Sequence, residues 1–292
     1  MYRQRSVRGI AGAGVLIALT AIVGLEAVAE SSSSAMRART SQEMVLRAGP
    51  TGSPPVIDAD LGDACWRDAT LASGYISLDG DWARPQTTGF VTYDDTCLYL
   101  AFHCHERAVD KISATAKSED EAGILLGDDD HLGFFLDTNH DRASYYRFAL
   151  NSKGVVYEAA CEYGARGLSS DKSWNPEWEV KTAVGAKHWT AEIRIPFASL
   201  GVGKPEPGTI WGVNLIRTRR APEEEHSTWA GVADRYQPKA FGRLVFGKLA
   251  DVSYSILSMG SRKTDYEFRL RLRNAMNRKM RACGPALSGR FR

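Results

Sequence analysis

From Pro54 onward the chain places apolar residues in short runs, separated by Gly, Asp, Asn and Pro. Alternation with a period of two puts successive side chains on opposite faces, so these runs predict strands. Eleven segments qualify: 71–78, 87–93, 97–105, 131–136, 145–150, 155–162, 178–184, 189–195, 210–218, 227–232 and 243–246. Many short strands between turn residues predict an all-β fold, a sandwich of the jelly-roll type. In the run Trp189 to Ile195, Trp189, Ala191, Ile193 and Ile195 share one face and Thr190, Glu192 and Arg194 the other. The first face is expected in the core and the second in water. Leu98, Leu100, Phe102 and Cys104 repeat the pattern, with Tyr99, His103 and His105 opposite. Phe134, Phe135 and Leu136 do not alternate, which predicts a strand covered on both sides and therefore central.

Turn chemistry falls between the runs. Tyr93-Asp94-Asp95-Thr96, Asn151-Ser152-Lys153-Gly154 and Gly185-Ala186-Lys187-His188 each predict a tight connection. Pro196 to Leu200 predicts one helical turn, ended by Gly201. Between the strands at 131 and 145, Asp137, Asn139 and Asp141 are spaced two apart, with Asp129 and Asp130 just upstream. Oxygen side chains so spaced can converge on a hard cation, so some of these five are candidate ligands for a structural calcium ion. The loop is not an EF-hand, because Arg142 stands where that motif needs Gly and Phe148 where it needs Glu.

The ends of the chain differ from its middle. Arg3, Arg5 and Arg8 precede an apolar run from Ile10 to about Leu25, and Ala27-Val28-Ala29 offers a small-x-small cleavage pattern. Residues 1–29 therefore read as an export signal, and the protein is expected in the periplasm or outside the cell. Residues 30–53, rich in Ser and Arg, read as a linker, 54–249 as the folded domain and 250–292 as a basic tail. Within that tail Tyr266, Phe268, Leu270 and Leu272 alternate with charges as in a strand, while Thr264 and Glu267 could cap a helix instead. A single strand cannot cross lipid with its backbone unpaired, so no stable membrane insertion is expected after signal cleavage.

The net charge of +2 conceals an acidic domain, since residues 51–250 hold 21 basic and 29 acidic side chains. That balance excludes a phosphate-tracking nucleic-acid surface and suits cations or sugars as partners. Five cysteines, none in a C-x-x-C pair, read as small buried hydrophobes. Trp66, Trp189 and Trp211 lie in alternating apolar contexts and are expected in the core. Asn214, between Val213 and Leu215, needs either internal partners or a ligand hydroxyl.

The motifs occur in a telling order: Ile57-Asp58 then Trp66, Tyr93-Asp94-Asp95 before Leu98-Tyr99, and Asp129-Asp130 before Phe135-Leu136-Asp137. Tyr146, Phe148 and Asn151 to Gly154 follow, then Trp189-Thr190-Ala191-Glu192 with Ile195-Pro196-Phe197, Trp211 to Asn214 with Arg217, Trp229, and Phe241-Gly242-Arg243-Leu244. This set resembles the carbohydrate-binding module family 9. The resemblance implies an exported, non-catalytic, calcium-stabilised β-sandwich that recognises a glycan, a plant-type polysaccharide or its ends, as an accessory to polysaccharide degradation. The family's tryptophan clamp falls here at about Gly127 and at Arg235 or Tyr236, and Gly133 and Ala149 replace polar positions. Trp174, Trp178, Asn214, Arg217, Trp229 and Tyr236 are accordingly the candidate sugar-binding residues.

Two other functions were weighed. A glycoside hydrolase needs two carboxylates at a set separation in a groove, and no pair stands out among the acidic residues. A haem or metal redox domain could use His103 and His105, which share a strand face.

Overall fold

A computed structural model describes residues 44–118, 121–220, 222–230, 234–248, 252–262 and 265–274. The export signal and most of the linker lie outside the described residues. In chain order the strands are β1 (Val45–Pro50), β2 (Thr70–Ala72), β3 (Ile76–Ser77), β4 (Thr87–Tyr93), β5 (Cys97–His105) and β6 (His131–Asp137). They continue as β7 (Ser144–Asn151), β8 (Val156–Gly164), β9 (Gly167–Asp171), β10 (Glu179–Val184), β11 (His188–Pro196) and β12 (Ile210–Arg219). The last are β13 (Glu225–Thr228), β14 (Gly242–Phe246), β15 (Val252–Arg262) and β16 (Asp265–Asn274). Two short helices, α1 (Ala64–Asp68) and α2 (Ala122–Gly127), interrupt them.

Fourteen strands form one hydrogen-bonded sheet: eleven lie on the path β10-β11-β5-β4-β1-β14-β12-β6-β7-β8-β9, with β2, β3 and β13 attached at its sides. The path doubles over at β1. Residues Val45 to Ala48 of that strand pair parallel with β14, and Gly49 and Pro50 pair parallel with β4. The result is a sandwich of a front sheet (β14-β12-β6-β7-β8-β9) and a rear sheet (β10-β11-β5-β4). Between them Phe102 of β5 stacks on Phe134 of β6, and Phe134 on Phe148 of β7, at centroid distances of 6.4 and 4.7 Å. Trp189 and Trp211 are buried in the same core.

The strand between β12 and β7 is covered on both faces, as the unbroken Phe134-Phe135-Leu136 run predicts, and all seven residues of β6 are buried. Its outer side carries a second apolar cluster, in which Phe135 stacks on Phe241 at 5.6 Å beneath Leu125 of α2. Four cysteines are buried and unpaired, as expected; Cys283 lies outside the described residues.

Two expectations are corrected, and one left open is decided. The segment read as linker ends in β1, a strand of the sheet, whose partners lie about the far end of the domain and so leave no local pattern. The face of β11 read as wet is covered: Thr190 and Glu192 are buried because the 54–69 segment folds over them. Of the two readings of the tail, the strand is the one found: Asp265–Asn274 pairs antiparallel with β15; Thr264 lies outside the described residues.

Two loops show why the motif residues recur. Glu192 accepts hydrogen bonds from Asp58 N, Ala59 N and Trp66 Nε1 at 2.9, 2.7 and 2.6 Å, which holds the amino-terminal segment against the rear sheet. Asp94 accepts from Thr96 N, Cys97 N and Tyr99 Oη, which closes the turn between β4 and β5. Gly201 ends the turn at Phe197–Leu200 with φ of 68°, a left-handed conformation that suits glycine.

Candidate functional site

The acidic residues around β6 divide into two groups. The length of strand β6 separates Asp129 and Asp130 from Asp137 at its far end, with six residues between Asp130 and Asp137, about 20 Å at the usual rise. The five oxygen donors therefore do not form one cage. Asp129 accepts from Thr115 N and Oγ1, Ala116 N and Asn151 Nδ2, which pins segment 113–116 to the start of β6. Burial alone would raise its carboxyl; the bonds from Thr115, Asn151 and Ala116 outweigh that and hold it below the usual range. Asp130 binds Ser113 N through one oxygen, and burial raises its carboxyl. At the far end, Asp137 accepts from Asp141 N and Arg142 N, and Asp141 from Ala143 N and from Ser144 N and Oγ. These oxygens close the turn on its own backbone, and Asn139 lies on its surface. Among the described residues no group of three His, Cys, Asp or Glu side chains is arranged to hold a metal ion. The donor set, its oxygens taken by backbone N–H groups, does not fit a calcium cage as it stands.

The six aromatic and polar candidates fall in three places. Trp174 and Trp178, in the connection between β9 and β10, close the open end of the core: Trp174 stacks on Tyr146 at 4.4 Å, and Trp178 meets Phe148 edge-on at 4.9 Å. Arg217 and Trp229 are interior. Arg217 spans the two sheets, donating to His105 O at 2.8 Å and pairing with Glu106 at 3.1 Å, while Arg219 pairs with the same carboxylate at 2.9 Å. Trp229 packs against Gly242, where a Cβ would lie 2.7 Å from its ring. Only Asn214 and Tyr236 belong to the outer side of the front sheet.

That outer side has a recognisable plan. Register places Asn214 of β12, Phe135 of β6, Arg147 of β7 and Ala159 of β8 in one row across the sheet. Ile216, Gly133, Ala149 and Tyr157 make the next row. A Cβ on Gly133 would lie 2.8 Å from Ile216 Cγ1, so Ile216 fills the space above that glycine. Asn214 is fully used within the protein: its Oδ1 accepts from Leu215 N, Thr228 Oγ1 and Ala230 N, and its Nδ2 donates to Arg235 O at 3.3 Å. It thereby holds the segment that carries Arg235 and Tyr236 over the sheet.

On this face four side chains cluster. The Arg147 guanidinium lies 4.8 Å from the ring centre of Tyr236 and 5.2 Å from that of Tyr157. Arg235 approaches the Tyr236 ring at 5.1 Å. Cations over aromatic faces attract the ring quadrupole and fix its position. Tyr157, Arg147 and Arg235 were not among the residues singled out from sequence. The signal available was a charge, Arg147, inside an otherwise apolar strand, and an Arg-Tyr pair at the second clamp position. Burial pushes nearby His131 down to about 3, so it is neutral, with Nδ1 3.1 Å from Asp129 O.

The rear sheet carries a different feature. His103 lies between His105 and His188, with ring centroids 4.4 and 4.5 Å away, and burial with the neighbouring imidazoles pushes it down to about 4. This stacked row is not arranged around a common point for a metal.

The Tyr236 ring on the outer side of the front sheet, with the guanidinium groups of Arg147 and Arg235 close to it, is the candidate binding surface. The comparisons give the family. A profile described as carbohydrate family 9 binding domain-like matches residues 57–249, and the chain belongs to that family. A family 9 module from Caldicellulosiruptor kristjanssonii in complex with cellotriose superposes with a TM-score of 0.50 at 17% identity, covering 71% of this chain and 96% of that one. Its complex with glucose gives 0.50 at 16%, over 71% and 98%. A Bacteroides uniformis structure gives 0.55 at 13%, over 69% and 98%. No curated protein matches the chain. The chain thus carries a carbohydrate-binding module, and among the described residues no helix is long and apolar enough to cross a membrane.

Proposed function

We propose that this module is exported, has no catalytic role, and holds a plant-type polysaccharide or its ends against the outer side of the front sheet. The carrying observation is the half-buried Tyr236 ring on that face, with the guanidinium groups of Arg147 and Arg235 close to it. Sugar recognition needs an aromatic face for the pyranose C–H surface and polar groups at its edge. The other aromatic candidates are committed to the core or its end, which leaves this cluster as the platform. The module would serve as an accessory, keeping an associated degrading activity close to its polymer.

A glycan array probed with the purified protein tests this reading, with Tyr236→Ala and Trp174→Ala as paired variants. Retention of at least one glycan class, lost in Tyr236→Ala and kept in Trp174→Ala, is the expected result. Loss only in Trp174→Ala would move the site to the end of the sandwich.

A further inference from the structure

The Arg147 side chain is about nine-tenths buried, yet it has no carboxylate partner among the described residues. Among the described residues its hydrogen bond is a long one, to Tyr236 Oη at 3.4 Å, and its guanidinium lies near the two tyrosine rings. A guanidinium has five N–H donors, and leaving them unmet in a half-dry site is costly. Arg235, only half-buried, likewise has no carboxylate partner among the described residues. It donates to His226 Nδ1 at 3.1 Å and Thr218 Oγ1 at 3.5 Å, both neutral acceptors.

The carboxylates of this side are already engaged. Asp234 accepts from Tyr163 Oη and Tyr236 N. Glu224 is paired with Arg220 and His226, and Asp129 is spent on Thr115, Ala116 and Asn151. Two guanidinium groups are therefore left over on the same ring, on a domain whose overall charge is negative. Elsewhere the fold pairs its buried arginines: Glu106 takes both Arg217 and Arg219. The exception lies where a ligand would sit.

Resting on the reading of this face as the glycan site, we propose that its ligand is a carboxylated sugar, a uronic acid residue within a glycan. The planar forks of Arg147 and Arg235 take the carboxylate oxygens beside the Tyr236 ring. Planar bidentate recognition is what arginine provides and lysine does not. A neutral glucan would leave both charges unanswered.

The test is isothermal titration of the full chain with trimers of galacturonate, glucuronate and mannuronate, with their methyl esters, and with cellotriose. The expected result is binding of at least one uronate trimer about tenfold or more tighter than its methyl ester, as charge-assisted bonds of this kind imply. That preference should weaken as salt is raised. Arg147→Lys, which keeps the charge without the fork, and Arg235→Gln should each bring acid and ester to equal affinity. Equal binding of ester and acid, or of cellotriose alone, would overturn the acidic ligand and leave the glycan reading standing. Binding of none of the sugars would remove both.

Discussion

The two outer sides of the sandwich use one device for opposite ends. On the rear sheet a charged residue of a central strand, Glu192, lies under a folded-over segment that meets its carboxylate with three donors. On the front sheet a charged residue of a central strand, Arg147, lies under the 234–241 segment, which offers it ring faces and one long hydrogen bond. A buried charge whose valence is filled from within is a fastening. One left partly open is a receptor, held rigid by the packing around it and short of a partner.

The largest test of that contrast is a pair of substitutions compared in denaturant. Removing the negative charge in Glu192→Ala orphans Asp58 N, Ala59 N and Trp66 Nε1, and should lower stability by about 3 kcal/mol, read as a fall in the unfolding midpoint. Arg147→Gln, which abandons no donor or acceptor except Tyr236 Oη, should change it by about 1 kcal/mol or less. Equal losses would mean that Arg147 is a fastening too.

A smaller effect comes from pH. His103 on the rear side and His131 on the front side have folded values near 4 and 3, both depressed by burial. The unfolded chain takes up these protons near 6.5, before the folded one does, so stability should decline as pH falls below about 6.5 and level off with respect to these groups near their folded values. Replacing His103 by Gln should flatten the slope of unfolding free energy against pH. A slope unchanged by the replacement would show that the stacked row carries no such cost.

The smallest effect expected is that of calcium. With Asp137 and Asp141 closing their turn through backbone N–H groups, adding calcium should leave the thermal midpoint within about 1 °C, since an ion that does not bind adds nothing to stability. A rise of several degrees would show that this turn reorganises into an ion cage.

The strands were legible where alternation and turn residues coincide. Thr87–Tyr93 and Cys97–His105 follow the apolar pattern to the residue, bounded by an Asp94 turn that the structure uses. β9, Gly167–Asp171, was not legible, because Gly-Leu-Ser-Ser-Asp has neither apolar rhythm nor bulk. The site was only partly legible. Tyr236 could be picked as an aromatic near a clamp position, whereas Arg147 is made significant by the absence of a partner, a property of three-dimensional packing. Glu192 looked like a surface residue for the same reason in reverse: what covers it comes from over a hundred residues earlier.

The strand β1 has a consequence for handling the protein. It begins twelve residues before the family match and, among the described strands, joins the two sheets along the path by backbone pairing, through β14 on one side and β4 on the other. A protein trimmed to the matching region would lose this splint and present two raw strand edges at the centre of its largest sheet. Such edges pair readily with other chains. Solubility, more than ligand affinity, is what those six residues safeguard.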